Sequence, residues 1–183
     1  MASVWYTSRR QTPREFEFHC RTCGEIHRGS PSFAYAKPAQ IFDIPEHERG
    51  KRVVLSTDTC IVDHETFLIR AILEVPIVGV DQPFMWGVWV SQSQANFERY
   101  VTTFEQDQLG EVSFGWLAVA LPGYDRPNES GWPSLACNVH WGPRDQRPAI
   151  ELQVCDHQLY YDQINGIDWP RAVELARLAL HGE

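Results

Sequence analysis

"TFLIRAILEVPIVGVDQPFMWGVWVS", residues 66–91, is the stretch on which the fold turns. In both of its apolar halves the two alternating sets of positions are hydrophobic, Arg70 and Glu74 excepted. A strand with one wet face alternates apolar with polar residues, so strands apolar on both sets are covered on two faces. The halves read as central strands of a sheet, and "VGVDQ", residues 78–82, as the hairpin connection between them. Arg70 and Glu74 fall two strand steps apart on one face, a spacing that suits an ion-pair network or a polar pocket floor, the network being the simpler reading.

Beyond residue 91 the period changes. In "SQSQANFERYVTTFEQ", residues 91–106, Phe97, Tyr100, Val101 and Phe104 form one stripe of an amphipathic helix, with Ser91 and Gln94 as a capping box. "VSFGWLAVAL" (112–121) is another strand, and "PGYDRPNESGWPS" (122–134) is a turn-forming loop. The last helix is expected to start at Asp168 as N-cap, with Pro170 in its first turn, and to stop at Gly182. Towards the amino terminus, "KRVVLS" (51–56) and "REFEFHC" (14–20) are short strands. The class this predicts is α+β: a single domain over 1–183, with a mainly antiparallel sheet, flanking helices and an N-terminal zinc-knuckle-like turn. Residues 14–64 form the expected zinc-binding segment packed on the sheet, and 65–183 the sheet and helices.

Two strands near the end can be registered from their faces. In "LACNVHW" (135–141) the apolar set is Leu135, Cys137, Val139 and Trp141; in "AIELQVC" (149–155) it is Ile150, Leu152 and Val154. Matching these sets predicts Val139 opposite Leu152, His140 opposite Glu151, and Cys137 turned toward Val154.

With 183 residues, 43% hydrophobic and seven tryptophans, the chain can bury a full core and is not a disordered or collagen-like sequence. Its formal charge of -8 opposes a nucleic-acid partner. No run approaches the roughly 18 apolar residues of a membrane span, and "MASVWYTSRRQTPRE" lacks the apolar centre of a secretory signal, so a cytoplasmic protein is expected. Five cysteines, an odd number with one close pair, fit a reducing compartment better than a disulfide framework.

That pair stands in "FEFHCRTCGEIHRGSPSF", residues 16–33. Cys-x-x-Cys followed by Gly is a turn that brings two thiolates to one ion, the glycine accommodating the tight backbone. His27 is near enough to contribute locally, and Cys60 ends a strand that can return to the knuckle. The expected site is therefore zinc on Cys20, Cys23, His27 and Cys60, with His19 and His64 in reserve. A redox pair needs a helix N-terminus behind Cys20, and "GEIHRGSPSF" has two glycines and a proline where that helix would run. Two inert buried thiols are the third reading. Cys137 and His140 point to opposite faces of one strand, which removes them as a ligand pair. Cys155 with His157 is a weaker candidate.

His140 beside Glu151 is the best candidate for proton transfer, although such pairs are more often structural hydrogen bonds. No Gly-rich phosphate loop, G-x-S-x-G elbow or H-E-x-x-H helix occurs.

"CRTCGEIHRGSPSFAY", "TDTCIVD", "FMWGVWVSQSQANFERY", "FGWL" with "LPGY", "RPAIELQ" and "DHQLYYDQINGI", in this order, resemble the bacterial proteins grouped as domain of unknown function 2199, from about Phe18 to Ile167. The resemblance implies membership and a bacterial origin, and brings no activity, cofactor or catalytic residue. Two functions follow from the residues themselves. One is a zinc-stabilised binding or adaptor protein that meets a protein partner through its tryptophan-rich surface or the 122–134 loop. The other is an enzyme: a metal-dependent hydrolase with an open zinc position, or a metal-free site at His140 and Glu151.

Overall fold

The computed structural model describes residues 15–124 and 135–182. The stretch 66–91 forms the centre. β6 (Thr66–Val75) and β7 (Phe84–Gln92) pair antiparallel across the hairpin, with Leu73 opposite Trp86 and Ala71 opposite Val88. Preceding them in sequence are β1 (Glu17–His19), β2 (Ile26–Arg28), β3 (Ser32–Ala34), a 3-10 turn at Ala39–Ile41, α1 (Glu46–Arg52), β4 (Val53–Leu55) and β5 (Thr59–Val62). Following them are α2 (Gln94–Thr103), β8 (Val112–Trp116), β9 (Ala136–His140), β10 (Ala149–Leu152), α3 (Gln158–Asn165) and α4 (Trp169–His181). The architecture is α+β, as the sequence pattern predicts.

The main sheet runs β3-β7-β6-β10-β9-β8, with β5 also on β6 and β4 on β5. Most pairings are antiparallel, but β10 lies parallel to β6 and β3 parallel to β7. The far end of this path comes back to its start. Leu117, just after β8, bridges Val90 of β7, and Ala118 N–H donates to the Trp89 carbonyl at 2.8 Å. Five strands, β7-β6-β10-β9-β8, thus form a closed ring. Gly115 sits where β8 turns against β7: a Cβ there would meet the Ser91 carbonyl oxygen at 2.5 Å, so no larger residue fits without moving the backbone.

Inside the ring lie Leu73, Trp86, Val88, Val90, Cys137, Val139, Ile150 and Leu152, all nearly solvent-free. On the second face Leu68 and Trp89 are buried and Ile72 and Met85 half-buried, which explains why neither strand alternates cleanly. Leu68 lies on this outer face, paired with Cys60 of the neighbouring β5, and the Trp89 indole donates to the Tyr35 carbonyl at 2.9 Å in the segment that covers it. Arg70 joins that cover by donating to the same carbonyl at 2.9 Å. Its ionic neighbours are Asp58 and Arg147, themselves paired at 2.6 Å, while Glu74 is exposed. The network exists, with Asp58 in the place given to Glu74, because four residues along a strand separate side chains by about 13 Å.

α2 is capped by Ser93, whose Oγ accepts from Asn96 N–H; Ser91 belongs to β7 and caps nothing. Phe97 and Tyr100 of the predicted stripe are buried, and Val101 is exposed. α4 has the predicted limits: Asp168 accepts from Arg171 N–H at 2.9 Å, and Gly182 takes the left-handed conformation at φ 70°. The turn-forming loop 122–134 lies outside the described residues from 125 onward.

The β9–β10 register differs from the expected one by two residues. Val139 faces Ile150, His140 faces Ala149, and Cys137 faces Leu152, while Val154 is 86% exposed. A two-residue shift keeps every side chain on its face, so face matching alone admits both registers.

Candidate metal centre

β1 and β2 form a separate two-stranded hairpin, Phe18 opposite His27. Its tip is the Cys-x-x-Cys turn. Cys20 N–H donates to the Glu25 carbonyl at 2.8 Å and Gly24 N–H to the Cys20 carbonyl at 2.9 Å, closing a tight loop for which Gly24 adopts φ 79°. Space around Gly24 is open, so the glycine is needed for its backbone conformation alone. Phe16 and Phe18 bury the hairpin's inner side, Phe16 meeting Trp169 of α4 at 5.1 Å between rings.

This docking carries the knuckle to the end of α4, where His181 is the last helical residue. Cys20, Cys23, His27 and His181 then offer four ligand atoms within 4.8 Å of one another. Cys20 Sγ lies 3.2 Å from His181 Nε2, and Cys23 Sγ lies 3.3 Å from His27 Nε2. Around one tetrahedral zinc, with sulfur at about 2.3 Å and nitrogen at about 2.0–2.1 Å, adjacent sulfur and nitrogen ligands stand about 3.5 Å apart. Both sulfur–nitrogen pairs match that separation within a few tenths of an ångström, and all four ligand atoms lie within 4.8 Å of one another.

Electrostatics agree with the geometry. Burial opposes charge on Cys20, but the Cys23 and Thr22 backbone amides and the Cys23 and His27 side chains outweigh it and bring the thiol down to about 6. A thiolate is the form that binds metal. No shift of this kind acts on Cys60, whose thiol burial pushes up to about 11.

Of the four expected ligands, Cys20, Cys23 and His27 come together and Cys60 does not. Cys60 is fully buried in β5 opposite Leu68 and Leu55, a small apolar residue of the core. The fourth corner belongs to His181. His19 is exposed on β1, and His64 occupies a turn at φ 58°. His157 is buried as the N-cap of α3, its Nδ1 accepting from Leu159 N–H at 3.1 Å, and Cys155 is half-buried. Cys137 is buried inside the ring while His140 points outward.

Despite the shifted register, His140 Nε2 lies 3.2 Å from Glu151 Oε2, reaching diagonally across the strands. Gln153 and Asn138 pair beside them at 3.0 Å. The pair stands on an open face, with side chains 44% and 54% exposed.

His181 has no motif around it. It is separated from Cys20 by 161 residues, and its only sequence signal is its place in the last turn of a well-capped helix.

No curated protein and no solved structure matches the chain. A family model does match, over residues 19–167, a span that takes in Cys20, Cys23 and His27 and stops short of His181. Because that span covers most of the 183 residues, the chain belongs to the family described as uncharacterized proteins conserved in bacteria, DUF2199.

Proposed function

We propose that this is a zinc-binding protein in which the ion, held by Cys20, Cys23, His27 and His181, stabilises a binding or adaptor domain. The observation that carries the reading is the convergence of two sulfurs and two imidazole nitrogens, from opposite regions of the chain, within 4.8 Å. Two thiolates with two imidazoles suit zinc among the common metals, and four protein ligands leave no position for a reactive water, which favours structural over catalytic work. Five free thiols accord with a reducing, cytoplasmic setting. Among the described residues no helix is long and apolar enough to cross a membrane. A protein partner is supported by the exposed row Val112, Phe114 and Trp116 along β8, flanked by Asn138, His140, Glu151 and Gln153.

The alternative, an enzyme using His140 and Glu151, has one observation behind it, their 3.2 Å contact. Their exposure weakens it, since general bases work in water-poor sites that adjust their proton affinity. Metal analysis of protein purified without chelator tests the main reading. One zinc per chain in the wild type, given up to chelator more readily in Cys23→Ser and in His181→Ala, is expected; wild-type retention in both variants would refute the ligand set.

A further inference from the structure

Between the knuckle strand and α4 runs a cleft of about 520 Å³, within the size range of small-molecule sites. One wall carries Phe18, Cys20 and Arg21; the other carries Trp169, Val173 and Arg177. Charge in the cleft is unevenly satisfied. Of its two carboxylates, Glu17 is held by Arg28 at 2.6 Å and Glu174 by Arg171 at 2.9 Å. Arg21 and Arg177 have no ion-pair or hydrogen-bond partner among the described residues, so two free guanidinium groups border an apolar slot in a chain of net charge -8. His19 at the rim adds a further donor.

We infer that this cleft binds a small amphipathic organic anion, its carboxylate or phosphate engaged by Arg21 and Arg177 and its apolar tail lying along Trp169 and Val173. Guanidinium groups bind both headgroups through paired N–H donors, and a neutral alcohol cannot replace them. The indole and valine supply the apolar contact that confers affinity on a tail. This site is separate from the metal reading: no metal ligand other than Cys20 lines it.

Calorimetric titration of the protein as purified, at low ionic strength, tests the inference with four ten-carbon probes: decanoate, decyl phosphate, decanol and decylamine. Decanoate or decyl phosphate is expected to bind one per chain, with decanol about tenfold or more weaker and decylamine weaker still. Arg21→Gln and Arg177→Gln are each expected to weaken the anion about tenfold, and Val173→Asp to remove binding of all tails. Circular dichroism and metal content are measured on each variant, and the arginine variants, which carry the headgroup claim, are expected to leave both unchanged. Decanol binding as tightly as decanoate, unchanged affinity in the double arginine variant, or no anion binding at millimolar concentration would each overturn it.

Discussion

Replacing His181 by alanine isolates the contribution of the proposed ligand that would tie the knuckle to α4. Cys23 and His27 are four residues apart, Cys20 and His181 161 residues apart. Closing these loops in an unfolded chain costs about 2 kcal/mol for the short one and about 5 kcal/mol for the long one. An unfolded chain therefore retains the ion on the knuckle far more readily than it captures His181. Only the folded protein holds all four ligands in place. A structural zinc binds with about 10–16 kcal/mol, or about 3 kcal/mol per ligand, and the loop term sets a ceiling near 5 kcal/mol on what the folded state gains over the unfolded one. His181→Ala should destabilise the zinc-loaded protein by about 3 kcal/mol, a large part of the 5–15 kcal/mol that holds a domain folded. With chelator present the same substitution should cost under about 1 kcal/mol, the value of an imidazole at a helix end. Urea unfolding followed by tryptophan fluorescence, in zinc and in chelator, measures both. Equal costs in the two conditions would refute the assignment of His181 as a ligand.

Three further outcomes are expected. Cys60→Ala should keep one zinc per chain and cost about 1–2 kcal/mol through lost packing, as metal analysis and urea unfolding will show; loss of the metal would restore Cys60 to the ligand set. Stability should fall above pH 9: burial pushes Cys60 to about 11 and Cys137 to about 12 from an ordinary 9.0, so the unfolded chain releases these protons first. Each thiol then removes about 1.4 kcal/mol by pH 10, a loss that unfolding curves of Cys60→Ala should show halved. Glu151→Gln should change stability by less than about 1 kcal/mol and leave the metal in place, because the pair with His140 is half exposed.

The parts of the fold legible in the sequence are those fixed by local chemistry. β6 and β7 declare themselves by apolar residues on both faces, and α4 by Asp168, Pro170 and Gly182. The Cys-x-x-Cys-Gly turn with His27 is likewise a local pattern. Features that depend on distant segments meeting are not written locally. The return of β8 to β7 shows in advance only as Gly115, and nothing near His181 distinguishes it from a helix-end histidine. Cys60 has the residue type of a ligand, but its strand pairs with β6 and turns the thiol into the core. The β9–β10 register escaped for a symmetry reason, since Leu152 and Ile150 are interchangeable partners for Val139.

The return of β8 to β7 also bears on how the protein avoids sticking to copies of itself. A strand with Val112, Phe114 and Trp116 exposed in one row would, with a bare backbone edge, be a template for recruiting foreign strands. Here β9 takes one edge, and the other is occupied by the Leu117–Val90 bridge, by Trp116 N–H donating to Ser91 Oγ at 3.1 Å, and by Gln92 Nε2 donating to the Phe114 carbonyl at 3.3 Å. These contacts occupy the open side of the strand between Phe114 and Leu117. Whatever meets the row must do so side chain against side chain, by shape, and cannot extend the sheet; substitutions that open the Gly115 crossing would free the edge and turn a selective face into an aggregation seed.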